Sequence, residues 1–125
     1  MWPVNAGVIP LTVACYVRRV VNEETRREVL AFRDERDWAQ FHTPANLAKS
    51  ISIEAAELLE CFQWSDEGDH ARASEELADV LTYCILLADR LGVDLDQIVL
   101  AKLAQSRVKY PAAKARGRST KYDAL

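Results

Sequence analysis

A chain of 125 residues that is half apolar, 28% charged and holds only four glycines and four prolines is long enough for one domain with a modest core. That composition excludes the disordered and collagen-like classes. A net charge of −3 provides no general attraction to nucleic acid polymers or anionic lipid, so an acidic patch that meets a phosphate needs a cation between them.

Residues 1–21 read as an N-terminal appendage, either packed on the domain or disordered. The stretch is apolar but carries Pro3 and Pro10 and places its arginines after the apolar part. A secretory signal prefers the reverse order, and a spanning helix needs about 20 apolar residues; no membrane role is expected. Asn22 caps a first helix that opens on Glu23 and Glu24, acids favoured by the helix dipole, and the pattern runs to Trp38 or Gln40. Thr43 followed by Pro44 marks a second start, with helical periodicity continuing to Trp64. The polar "SDEGDH" over residues 65–70 is a loop. A third helix covers Arg72 to Leu91 and stops at Gly92, and Asp94 with Gln97 opens a fourth that Pro111 ends. Residues 112–125 form a basic, loosely held tail.

Short links between four helices predict an all-α, four-helix bundle-like domain over residues 22–111. The third helix spreads Leu77, Leu81, Ile85 and Leu86 over about half its circumference, a wide apolar face that a second copy of the chain would cover. Cys15, Cys61 and Cys84 are odd in number and lack any C-x-x-C or Cys/His spacing. Cys61 and Cys84, in helical apolar patterns, read as buried free thiols in a reducing, cytoplasmic setting.

In "ISIEAAELLE", Glu54 lies at the margin of the apolar sector: Leu47, Leu58 and Cys61 all fall within about 40° of it on a helical wheel. Glu57 is about 60° to the other side and about 4.5 Å along the axis, so both carboxylates can meet one ligand. In "EELAD", Glu76 and Asp79 repeat the spacing on the third helix. An antiparallel hairpin lets the E-x-x-E and E-x-x-D pairs converge. Convergent acids must be solvated, paired with a basic side chain, or organised around a cation. Oxygen-only ligands suit Mg²⁺ or Mn²⁺. A di-iron bundle needs E-x-x-H on two helices, whereas the available Glu67 and His70 sit in a loop beside Gly68.

On the fourth helix, Lys102, Ser106 and Lys109 line one face with Tyr110 beside them. That face is either solvated, with cations near a helix C-terminus, or a comb of donors for phosphate oxygens. Trp38 and Trp64 either cap the bundle core or offer platforms for a nucleobase, and His42 either satisfies its own turn or donates to a base edge or sugar.

Taken together, "FRDERDWAQFHTPANLAKSISIEAAELLECFQW", "EELADVLTYCILLADRLGVDL", "KLAQSRVKYP" and "RGRSTKY" closely resemble the MazG-like nucleotide pyrophosphohydrolases over residues 23–123, in particular their small stand-alone branch. The resemblance implies an all-helical, Mg²⁺-dependent enzyme, a homodimer or homotetramer, that splits a nucleoside triphosphate into monophosphate and pyrophosphate to cleanse the nucleotide pool. It implies Glu54, Glu57, Glu76 and Asp79 as metal ligands, with Mn²⁺ as a substitute ion. It places Lys102, Lys109 and Tyr110 on phosphates, and Trp38 and Trp64 around the base with His42 close by. Ser106 stands where the family's motif has asparagine, and Val29 where some cytosine-preferring relatives have histidine. Glu54 is expected to orient or deprotonate the attacking water, and Lys102 to offset charge on the leaving group. A non-catalytic nucleotide- or metal-binding module, or hydrolysis of a non-nucleotide phosphate metabolite, are the alternative readings.

Overall fold

The computed structural model describes residues 19–125; the expectations for residues 1–18, Cys15 included, lie outside them. Among the described residues the architecture is all-α, without strands. Four principal helices occur in chain order, α1 (Glu23–Glu35), α2 (Pro44–Glu60), α3 (His70–Leu91) and α4 (Leu95–Lys109), followed by a single turn, α5 (Ala112–Ala115). A 3₁₀ turn over Trp38–Phe41 links α1 to α2, and another spans Tyr122–Ala124.

The local start signals act as their chemistry requires. Asn22 Oδ1 accepts from the Thr25 amide at 2.8 Å, Thr43 Oγ1 from Asn46 at 3.1 Å, and Asp94 Oδ1 from Gln97 at 3.0 Å, each satisfying an amide that has no partner in the first helical turn. Gly92 terminates α3 in the left-handed region at φ 66°, a conformation with little penalty only for glycine.

Three boundaries differ from the periodicity. α1 stops at Glu35, before Trp38, because Asp37 turns left-handed at φ 53°; its carboxylate accepts from Gln40 Nε2 at 2.9 Å, which holds the reversal. α2 stops at Glu60 instead of Trp64. Its final amides shift to i→i−3 bonding, from Cys61 to Leu58 and from Phe62 to Leu59, and the Cys61 carbonyl is taken by the Asp69 amide at 3.1 Å. Phe62 then lies against Gly68, leaving Trp64 outside the helix. α3 begins two residues early, at His70, because Asp69 caps it by accepting from Arg72 N at 3.1 Å.

α2 and α3 form an antiparallel hairpin, and α1 packs across α3. The core lies along that hairpin, where Leu47, Cys61, Ala73, Ile85, Leu86 and Ala88 are buried. Cys61 is a buried free thiol, whereas Cys84 is half-buried. The helices form the expected bundle-like fold, but within one chain α4 buries no residue and packs only lightly on the hairpin. Leu77 and Leu81 on α3, with Ile98, Leu100 and Leu103 on α4, remain exposed, a pattern that marks an interaction surface. The tail beyond Pro111 folds back onto α4. Tyr122 meets Tyr110 edge-on at 6.0 Å between ring centroids, and Lys109 Nζ lies 5.2 Å from the Tyr122 ring.

Candidate active site

The hairpin sets the acids. Glu54 projects from α2, and Glu76 and Asp79 from α3. The three can each offer a carboxylate oxygen with all three atoms within 4.8 Å of one another. Burial first, and then the charges of Glu57, Asp79 and Glu76, push the Glu54 carboxyl above its usual range. The Glu57 carboxyl is raised chiefly by Glu76 beside it, so Glu57 borders the group although it does not share the tight triad. Crowding of this kind favours a proton or a cation between the oxygens. A set of oxygen donors alone fits a hard divalent ion such as Mg²⁺ or Mn²⁺ and does not fit a thiophilic metal.

One cation already touches the group. Arg72 Nε donates to Glu76 Oε1 at 3.2 Å while its Nη2 reaches Glu60 Oε2 at 3.1 Å. The helical spacing of Arg72 to Glu76, four residues, was available as a signal in the sequence. The spacing of the acids alone does not reveal it.

Asp79 also lines a cavity of about 550 Å³ between α1, the first 3₁₀ turn and α3, whose walls include Val29, Phe32, Arg33, Trp38, His42 and Tyr83. The Trp38 indole meets Phe32 edge-on at 5.7 Å, and the Arg36 guanidinium stacks 3.7 Å above Phe32. Burial, and next the Arg33 charge, push the His42 imidazole below its ordinary pKa, which favours the neutral ring, and its Nδ1 is buried without a hydrogen-bond partner. Arg33 belongs to this wall although sequence pattern did not single it out. Its side chain is fixed by Asp34 and by Asp89 on α3, a pairing 56 residues apart in the chain that no local pattern announces.

The other expected substrate residues lie elsewhere in the chain. Trp64 is 90% exposed and does not line the cavity with Trp38. Lys102, Ser106, Lys109 and Tyr110 sit on or at the end of α4, which packs only lightly on the acidic hairpin. Ser106 Oγ donates to the Lys102 carbonyl at 3.1 Å, a helix-internal bond, and Lys102 Nζ is 3.5 Å from Gln105 Oε1.

The model of the MazG-like family matches residues 49–125. Human (Homo sapiens) dCTP pyrophosphatase 1 is 43% identical over 113 residues, covering 82% of this chain and 66% of that protein. The Mus musculus protein of the same name is 41% identical with the same coverage. A crystal structure of a pyrophosphatase from Archaeoglobus fulgidus is 44% identical, superposes with a TM-score of 0.68, and covers 71% of this chain and 91% of the other. The chain thus spans about two thirds of the length of the curated relatives it matches. No helix among the described residues is long and apolar enough to cross a membrane.

Proposed function

This chain belongs to the MazG-like family, and we propose from that premise that it is a cytoplasmic nucleotide pyrophosphohydrolase, with residues 22–111 as the unit that carries the activity. Its substrate is a nucleoside triphosphate, commonly a deoxynucleotide, and its products are the monophosphate and pyrophosphate. The observation that carries this reading is the meeting of Glu54, Glu76 and Asp79 beside an aromatic cavity that Asp79 also lines. The names of the relatives support it.

In this reading Glu54, Glu76 and Asp79, with Glu57 at their border, hold Mg²⁺, for which Mn²⁺ substitutes. When bound, the ion supplies Lewis-acid stabilisation of negative charge on phosphate oxygens. The remaining chemistry belongs to the chain. Glu54, its carboxyl already raised by its surroundings, orients a water and accepts its proton. The water oxygen bonds to the α-phosphorus as the bond from that phosphorus to the bridging oxygen breaks, and pyrophosphate leaves. Lys102 and Lys109 offset the charge of the leaving group, and Ser106 and Tyr110 donate to its oxygens. Trp38 and Trp64 flank the base, and neutral His42 contributes a polar edge. Val29 presents only hydrocarbon to the cavity where a histidine would offer a hydrogen bond, so base preference rests on the other wall residues.

Lys102, Lys109 and Trp64 reach that cavity in an assembly of copies. A homodimer or homotetramer buries the bare apolar faces of α3 and α4 and brings these side chains to a neighbouring acidic group. The deciding experiment incubates the purified chain with canonical and modified triphosphates, in Mg²⁺ and in EDTA, and quantifies products. Equal amounts of monophosphate and pyrophosphate, formed only with the divalent ion, are expected. Formation of diphosphate and orthophosphate, or no turnover of any nucleotide, overturns the reading.

A further inference from the structure

Arg72 joins two acids that have different fates. Glu60 is the last residue of α2 and is largely exposed; Glu76 is a member of the tight triad, with a side chain only 13% exposed. The guanidinium fork spans them, Nε on Glu76 Oε1 and Nη2 on Glu60 Oε2. Its own backbone amide is tied to the Asp69 cap, so the fork is anchored at the first turn of α3. The carboxylates of Glu54, Glu76 and Asp79, with Glu57 at their border, crowd this end of the hairpin and repel one another. Arg72 is the basic side chain that makes an ion pair with the triad among the described residues.

We propose that Arg72 is a positioning residue that serves as the resident counter-ion of the acidic group while no divalent cation is bound. It holds the Glu76 carboxylate in register and offsets part of the repulsion, so the empty site stays folded and ready. The inference rests on the reading of Glu54, Glu76 and Asp79 as a cation site. Its consequence is a thermodynamic competition. A fixed positive charge beside Glu76 weakens the attraction for an incoming cation, and removing it strengthens that attraction while destabilising the empty protein. A plain hairpin clamp between α2 and α3 would stabilise the empty and loaded forms alike.

The test is thermal unfolding of the full chain in EDTA and across a MgCl₂ titration, for the wild type, Arg72→Met, Arg72→Lys and Glu60→Gln. In EDTA, Arg72→Met is expected to melt below the wild type, with saturating Mg²⁺ closing most of the gap. Its Mg²⁺ titration midpoint should fall by about fivefold or more, the lower end of a coupling between two sites. Arg72→Lys keeps the charge and should remain near the wild-type midpoint. Glu60→Gln breaks only the outer arm and should leave the Mg²⁺ midpoint unchanged. Equal destabilisation of Arg72→Met with and without Mg²⁺, or its failure to fold even in saturating Mg²⁺, overturns the proposal and leaves the cation site standing. A wild type that gains no stability from Mg²⁺ removes the cation site itself and the proposal with it.

Discussion

Arg33 Nη1 donates to Asp89 Oδ2 at 2.7 Å, and this bond ties the wall of the aromatic cavity to α3. The second oxygen of Asp89 accepts from Arg26 at 3.0 Å, so one carboxylate holds two arginines of α1. Arg33 is 15% exposed and Asp89 27%, which shields the pair from full screening by water. The α1–α3 packing adds little burial, since α1 contains no buried residue. Directed ion pairs therefore set its orientation.

We expect Asp89→Asn to destabilise the fold by about 1.5–3 kcal/mol, the range for hydrogen bonds to charged groups. It should also weaken nucleotide binding by freeing the cavity wall. Chemical denaturation and a comparison of KM with kcat check both parts. An unchanged midpoint would remove the pair from the account of how α1 is held.

Asp79→Asn and Glu54→Gln each take one charge from the triad. Loss of pyrophosphate release by about two to three orders of magnitude is expected, the scale seen when one stabilising group leaves a reaction centre. Circular dichroism should remain helical, because neither side chain belongs to the buried core. Full activity in either purified variant contradicts the site.

Leu47 is 1% exposed, the most deeply buried large side chain described. Leu47→Ala should cost about 3 kcal/mol through lost transfer energy and an unfilled cavity. For so small a core that is a large share of total stability. Urea unfolding provides the measurement.

Two glycines with similar φ separate strain from crowding. A Cβ at Gly92, at φ 66°, meets nothing within 4 Å, whereas one at Gly68, at φ 59°, would collide with the Phe62 ring and approach the Cys61 carbonyl at 2.8 Å. Gly92→Ala should cost about 1 kcal/mol from backbone strain alone. Gly68→Ala should cost roughly 2–4 kcal/mol, with overpacking added. Equal losses on thermal unfolding would mean that Phe62 moves aside freely.

His42 gives stability a pH dependence. Its folded pKa lies below the ordinary 6.5, so in mildly acid solution the unfolded chain binds a proton that the folded chain resists. Its contribution is present above pH 6.5 and is lost as pH falls toward the folded value. Glu54, raised first by burial, and Glu57, raised first by Glu76, act with the opposite sign further into acid, where protonation relieves the cost of burying and crowding their charges. Between pH 7.5 and 5.5 the wild type should lose more stability than His42→Gln. Parallel curves for the two proteins would remove His42 as the cause.

Local features were the most legible in the sequence. The caps Asn22, Thr43 and Asp94 and the stop at Gly92 depend on neighbours within one turn, and residue type alone announces them. The meeting of Glu54 with Glu76 and Asp79 was legible for a related reason: three-residue spacing and a short loop leave an antiparallel hairpin few ways to aim those side chains. Breaks that depend on distant or subtle partners were not legible. Trp64 continues an unbroken helical pattern, yet the Asp69 amide takes the Cys61 carbonyl and Phe62 settles on Gly68, which ends the helix four residues sooner. How the bundle closes is a separate matter. The apolar content of α4 suits burial, but nothing in a periodicity says whether the surface that buries it belongs to the same chain.

Asp37 sits in a left-handed conformation ordinarily left to glycine, immediately before the indole that walls the cavity. Such a residue stores about 1 kcal/mol of strain that its bond from Gln40 only partly returns. A glycine there would relax the backbone but loosen the aim of Trp38. Selection for heat resistance and selection for substrate discrimination would therefore pull this single position in opposite directions.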